Sequence, residues 1–149
     1  MSTKYFHYCR ASKQGFRTIE EWSAYADAHE HPCVVAEYNG FQYNINDHCL
    51  NPHIKYLTVP GMLKCEIRTA ESEGGWSFGY DYAYHLGSAC GGPGYRLKGE
   101  RDVYPTERAA IEAALRHAIK FCEYHNVGSS SINAIKNEIQ NTRQLNLFD

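Results

Sequence analysis

The chain has 149 residues, with 15 Lys plus Arg against 17 Asp plus Glu, a formal net charge of -2 and 43% hydrophobic residues. That make-up fits one globular domain able to bury roughly 70% of its unfolded surface, and it excludes a disordered acidic tail or a nucleic-acid coat working through a basic excess. There is no apolar run near the ~18 residues of a membrane helix and no signal-peptide core after Met1-Ser2-Thr3-Lys4, so a cytoplasmic protein is expected. In that compartment Cys9, Cys33, Cys49, Cys65, Cys90 and Cys122, without a Cys-x-x-Cys pair among them, stay reduced and mostly fill core space.

Tyr5-Phe6-His7-Tyr8-Cys9 is β-prone and predicts a first strand, followed by a loop holding Gly15. Thr18-Ile19-Glu20-Glu21 has the Ser/Thr-x-x-Glu form in which hydroxyl and carboxylate satisfy each other's backbone donors, so a helix is expected from Thr18 to about His29. Its apolar positions Ile19, Trp22, Tyr25 and Ala26 recur at helical spacing, with Trp22 as a core anchor. After Pro32, Cys33 to Tyr38 reads as a strand. Asn39-Gly40 is a two-residue turn in which both residues accept positive φ, and Phe41 to Ile45 returns antiparallel. The stretch from Asn46 to His53 is polar and turn-rich. Ile54 to Val59 and Leu63 to Arg68 are further strands divided by Pro60-Gly61.

Gly74-Gly75 leads into the central strand, where Trp76, Phe78, Tyr80, Tyr82 and Tyr84 alternate with Ser77, Gly79, Asp81, Ala83 and His85. One face is therefore wholly aromatic and the other small or polar. The glycine-rich stretch Gly87 to Gly94 is expected as the loop that ends it, with Tyr95-Arg96-Leu97 placed to pair back. Pro105-Thr106-Glu107 starts a second helix reaching about His125, with Ile111, Ala114, Leu115, Ala118, Ile119 and Cys122 as its buried stripe and Gly128 as its cap. Ser130-Ser131 cap a third helix whose narrow stripe, Ile132, Ile135 and Ile139, suits a lightly docked or lever-like element. These elements give an α+β fold with a mainly antiparallel sheet. The body spans 1–128, a helix or linker spans 129–143, and a tail spans 144–149.

Three constellations could carry chemistry. If its face is open, the aromatic strand offers Tyr80, Tyr82 and Tyr84 for stacking on unpaired bases, at ~1–3 kcal/mol per base. If covered, the same rings form the core beneath the second helix, with hydroxyls reaching the rim. Core is the favoured reading, because a sheet needs one buried face and rings supply the most burial per residue. His29, His31 and Cys33, with His48, Cys49 and His53, gather metal-type donors. Their spacing fits no structural zinc pattern, so structural or solvent-facing histidines are the default and no metal or other cofactor is expected. Exposed amides of the 87–94 loop beside Arg96, Lys98 and Arg101, joined by Arg108, are the expected phosphate contacts if the body touches DNA. The loop lacks the Gly-x-x-x-x-Gly-Lys-Ser/Thr form of a nucleotide cradle. Glu66, Asp81 and His85 are the ingredients of a nuclease without a telling spacing, so enzyme status stays open and leans negative.

The stretch Gln144-Leu145-Asn146-Leu147-Phe148 before Asp149 puts three large apolar side chains where a globular fold seldom leaves them. It resembles the bacterial sliding-clamp-binding peptide, Gln-Leu-(Ser/Asp)-Leu-Phe, found on polymerases, mismatch-repair proteins and other clamp-riding factors. Asn146 departs from the commonest form but is small and polar like Ser and Asp. Four fixed positions at ~1 in 20 each over ~150 start sites arise by chance on the order of 0.1% of the time. The resemblance covers five residues and implies that Gln144 orients the peptide while Leu145, Leu147 and Phe148 fill a pocket on the DNA polymerase III beta sliding clamp. It implies recruitment of the body to replicating DNA, or competition with host polymerases as suits a phage or plasmid factor. A single-strand-binding or nuclease body merely tethered to the clamp is the other expectation.

Overall fold

The computed structural model describes residues 8–30 and 32–144. Among these, in chain order, lie β1 (Tyr8–Cys9), β2 (Gln14–Gly15), α1 (Ile19–Ala28), β3 (Ala36–Tyr38), β4 (Phe41–Tyr43), β5 (His53–Tyr56), β6 (Lys64–Ser72), β7 (Gly75–Tyr84), β8 (Gly87–Gly91), α2 (Glu107–Tyr124) and α3 (Ser129–Gln144). The fold is α+β. β1 pairs with β2, β3 pairs with β4, and the main sheet runs β5-β6-β7-β8, all antiparallel. The part of the first expected strand at Tyr5 to His7 lies outside the described residues, and Gly15 belongs to a strand rather than a loop.

The ring-bearing alternation makes β7 an interior strand, paired with β6 from Ser72↔Gly75 to Lys64↔Ala83. Its other neighbour corrects the sequence reading, since Gly87 to Gly91 is strand β8 and not a loop. Glycine is a poor strand former, but here the three tyrosines of β7 each face a small residue on β8: Tyr80↔Gly91, Tyr82↔Ala89 and Tyr84↔Gly87. A Cβ at Gly91 would sit 3.4 Å from the Tyr80 ring and one at Gly87 3.5 Å from the Tyr84 ring, so the rings cover the glycine backbone and supply the packing it lacks. Gly79 answers a tighter demand. A Cβ there would lie 2.4 Å from the Gly91 carbonyl oxygen, where the chain leaves the sheet toward Pro93.

Two cores use opposite faces of β6, as strand alternation requires. On one face Cys65 and Ile67 join Tyr82, Leu115, Phe121, Cys122, Ile135 and Ile139 beneath α2 and α3. On the other, Ala70 joins Phe41, Tyr43, Ile45 and Tyr95 under the β3–β4 hairpin. That hairpin forms as the Asn39-Gly40 pair predicts, with φ of 48° and 87°. It is shorter than the sequence suggests, because the Asn44 carboxamide accepts from the Asn46 and His48 amides and folds the chain into a local turn.

Helix boundaries follow their caps. Thr18 accepts from the Glu21 amide at 3.2 Å, while Glu21 reaches back to the Arg17 amide, one residue before the expected partner. Trp22, Tyr25 and Ala26 are half-buried against the second core. Ile19, expected beside them, is 47% exposed, because α1 lies on the periphery with no fully buried residue. At the end of α2 the left-handed residue is Asn126, at φ 52°. Its amide bonds to Glu123 O and the Val127 amide bonds to Cys122 O at 2.9 Å, the paired closure of a helix terminated by a left-handed residue. His125 is therefore the C-cap of α2, and Asn126, not Gly128, is the left-handed residue that closes it.

The lever-like reading of the third helix also needs correction. Ile135 is fully buried, Ile139 nearly so, and Ser131 donates from within the helix to the Pro60 carbonyl. Outside these contacts, Lys55 pairs with Glu138 at 3.0 Å and Arg143 pairs with Glu112. Residues 129–143 are a wall of the core and not a linker. Replacing Ile135 by Ala should therefore cost about 2–5 kcal/mol in urea unfolding, the range for a buried Ile that leaves a cavity. A loss below about 1 kcal/mol would mean that α3 is only loosely docked.

Candidate functional site

The aromatic face of β7 is committed to the core. Tyr82 is fully buried, stacks on Tyr80 at 4.8 Å and lies 4.9 Å from Phe121. Its hydroxyl meets His117 Nδ1 at 3.0 Å, and the Tyr84 hydroxyl meets His125 Nδ1 at the same distance. Tyr80 and Tyr84 are half-buried against the same core. Tyr80, Tyr82 and Tyr84 thus form no open stacking row, because α2 occupies the face that bases would need. Burial lowers the His117 pKa, with Lys120 adding to the effect, and drives the Tyr82 phenol upward.

The metal-type donors are engaged separately. His29 stacks on Tyr25 at 4.0 Å and places Nδ1 2.8 Å from the Tyr25 carbonyl. The Cys33 thiol is directed at Val34 O, and the Cys49 thiol, raised in pKa by burial, at Asn51 Oδ1 3.6 Å away. His48 contributes its backbone, bridging to Gly94, while His53 turns toward Glu107. His31 lies outside the described residues. Among the described residues no three His, Cys, Asp or Glu side chains come together as a metal-ligand group.

The expected phosphate site is also dispersed. The amides of residues 87–91 belong to a paired strand, Arg96 Nη1 folds back to the Tyr95 carbonyl at 3.3 Å, and Arg108 stands in the first turn of α2. Lys98 and Arg101 are exposed on the connecting segment. Glu66 and Asp81 do meet, as cross-strand partners, but Lys64 and Arg68 neutralise them at 2.8 to 3.6 Å. His85 lies in the β7–β8 turn, so the three nuclease ingredients form a balanced ionic patch and not an open acidic centre.

Sequence reasoning missed the site that the fold does assemble, a cleft of about 410 Å³ where the tip of the β3–β4 hairpin meets β5 and the β6–β7 end. The hairpin turn delivers Asn39, whose Nδ2 donates to Glu71 Oε1 at 2.7 Å. Asn51 stiffens the same tip by donating to Gly40 O at 2.9 Å and accepting from the Gln42 amide at 2.7 Å. Three rings make the wall: Phe41 stands edge-on to Trp76 at 5.6 Å and to His53 at 4.9 Å. His53 Nδ1 is 2.8 Å from Glu107 Oε1, which also accepts from Thr69 Oγ1 at 3.0 Å. Glu107 thereby fixes the imidazole through one nitrogen. Among the described residues no cation pairs with Glu71, and its carboxylate faces the cleft backed only by an amide. The sequence pattern ends this strand at Arg68, whereas in the structure β6 runs on to Ser72 and sets Glu71 directly opposite Trp76; His53 and Glu107 are 54 positions apart and only the tertiary fold joins them.

No protein-family model, curated protein or solved structure matches the chain.

Two outcomes follow from the buried ring layer. Tyr82→Ala should remove about 3–5 kcal/mol of stability, as for other buried aromatic truncations, measured by urea unfolding. A folded protein of near-native stability would reopen the stacking surface. Because the folded-state pKa of His117 is depressed, the unfolded chain binds the extra proton first. Stability should be full above the ordinary histidine pKa of about 6.5 and fall as pH drops through it toward the folded value. In urea unfolding between pH 8 and 5, His117→Gln should show a shallower slope than the parent, and equal slopes would remove His117 from that role.

Proposed function

We propose that this chain is a ligand of the bacterial DNA polymerase III beta sliding clamp, engaging it through Gln144-Leu145-Asn146-Leu147-Phe148. The observation that carries this reading is the pentapeptide pattern itself, beginning at the last turn of a helix anchored to the body. Residues 145–149 lie outside the described residues, while Gln144 is exposed at the end of α3. Immediately before it, Arg143 Nε donates to Glu112 at 3.1 Å, and hydrogen bonds from Arg143 and Arg116 hold the Glu112 carboxyl below the usual range. The root of the peptide is thus fixed relative to the body.

Burying two Leu and one Phe contributes ~6 kcal/mol before backbone hydrogen bonds are added. Ordering a five-residue peptide offsets much of it, so the peptide alone binds at roughly micromolar Kd. One pocket accepts one peptide, so occupancy by this chain both delivers its body to the ring and excludes a polymerase peptide from that pocket. A clamp with several pockets, or an added body contact, strengthens the complex through effective concentration.

The test is capture of purified clamp by the full chain, compared with the L147A/F148A double variant and with a chain ending at Arg143. Wild type should retain the clamp, and both altered forms should lose it by at least tenfold in apparent affinity. Equal retention by all three would remove this reading.

A further inference from the structure

We propose that the cleft between the β3–β4 hairpin tip and the β6–β7 end binds a small organic cation, an alkylammonium or alkylguanidinium group. The four ionic residues on the open side of β6 and β7 neutralise one another, Lys64 and Arg68 against Glu66 and Asp81. Glu71 is treated differently: its carboxylate lines the cleft, is aligned by Asn39 Nδ2 at 2.7 Å, and has no cation beside it among the described residues. A carboxylate oriented by a single neutral donor keeps its net charge, and a ligand that brings the missing positive charge recovers the Coulombic term.

The walls specify the rest of the ligand. Trp76 and Phe41 meet edge to face at 5.6 Å and His53 closes the third side, 4.9 Å from Phe41 and 6.1 Å from Trp76. Aromatic faces attract cations and accept the hydrocarbon stem that carries them. An anion would meet Glu71 without a compensating donor, and a purely apolar ligand would leave that carboxylate desolvated and unpaired. His53, held at Nδ1 by Glu107, is a fixed wall of the cleft. At a volume of about 410 Å³ the cleft has room for a short alkyl chain with its head group.

The same chemistry is carried by a free metabolite and by a lysine or arginine side chain of a peptide, so the experiment has an arm for each. NMR titration of the full chain uses n-butylguanidinium, n-butylamine, and the capped tripeptides Gly-Arg-Gly and Gly-Lys-Gly. The neutral isostere n-butylurea and the anion butyrate serve as controls. At least one cation should shift the Trp76 indole and His53 ring resonances saturably, with n-butylurea and butyrate at least tenfold weaker. Tighter binding by the tripeptides assigns a peptide source, and tighter binding by the free cations a small molecule. Glu71→Gln keeps the acceptor for Asn39 and removes only the charge, so it should weaken cation binding at least tenfold at an unchanged melting temperature. Should Glu71→Gln unfold the chain, the salt dependence of the wild-type titration decides: weakening from 20 to 500 mM NaCl upholds the proposal and indifference to salt overturns it. Equal binding of the urea, an unaffected folded Glu71→Gln variant, or no saturable shift at Trp76 would each overturn it.

Discussion

The packing of the β7 ring face against α2 is the contact on which the rest of the molecule depends. A strand that projects Phe78, Tyr80, Tyr82 and Tyr84 from one side offers a large apolar area but also a row of hydroxyls that must not be stranded. The helix meets both demands. Ala110, Ala114 and Ala118 are fully buried and give the helix backbone room to approach the rings, while His117 and His125 supply hydrogen-bond partners for the Tyr82 and Tyr84 hydroxyls. On the other side of the strand pair, β8 answers the rings with Gly, Ala and Gly. Small residues on two neighbouring elements make space for large ones on a third.

Much of this was legible from local pattern. The Asn39-Gly40 turn, the Thr18 cap and the alternation of β7 each follow from rules spanning a few residues and lie where those rules put them, while on α2 Ala114, Leu115, Ala118 and Cys122 are buried as the stripe predicts, Ile111 and Ile119 are only half-buried, and Ala110 and Phe121 complete the buried face. The failures share a different cause. Gly87 to Gly91 carries no strand signal of its own and becomes a strand only because the rings of β7 lie over it. Ile135 and Ile139 look like a sparse stripe, yet Ser131 and a short connection after Asn126 let the helix sit close enough to bury them. In both cases neighbouring elements overrode a weak local preference, as happens with strand propensity in general. The cleft was illegible for a simpler reason: Asn39, His53, Glu71 and Glu107 come from four separate elements.

The distribution of charge separates structural ionic groups from functional ones. Glu66, Asp81, Glu112, Glu138 and Glu100 each have a Lys or Arg within ion-pair distance, and such exposed pairs add little to stability. Their effect is to keep the outer surface electrically quiet in a chain whose totals nearly cancel. Against that background Glu71 stands out, because among the described residues its carboxylate in the ring-lined cleft has the Asn39 amide as donor and no cation beside it.

Topology also fixes how the cleft and the root of the peptide stand to one another. α2 starts beside the cleft, where Glu107 holds His53, and ends where His125 meets Tyr84. α3 returns antiparallel, and its closing turn pairs with Glu112, five positions along α2 from Glu107, or about 7.5 Å at 1.5 Å rise per residue. Gln144 and the cleft therefore share one end of the molecule. The exposed Leu63 and Leu86 lie toward the other end, beyond the paired Lys64 and Tyr84 that finish the β6–β7 and β7–β8 ladders. A bulky partner held at the root of residues 145–148 would approach the cleft end first and leave those two leucines on the far side.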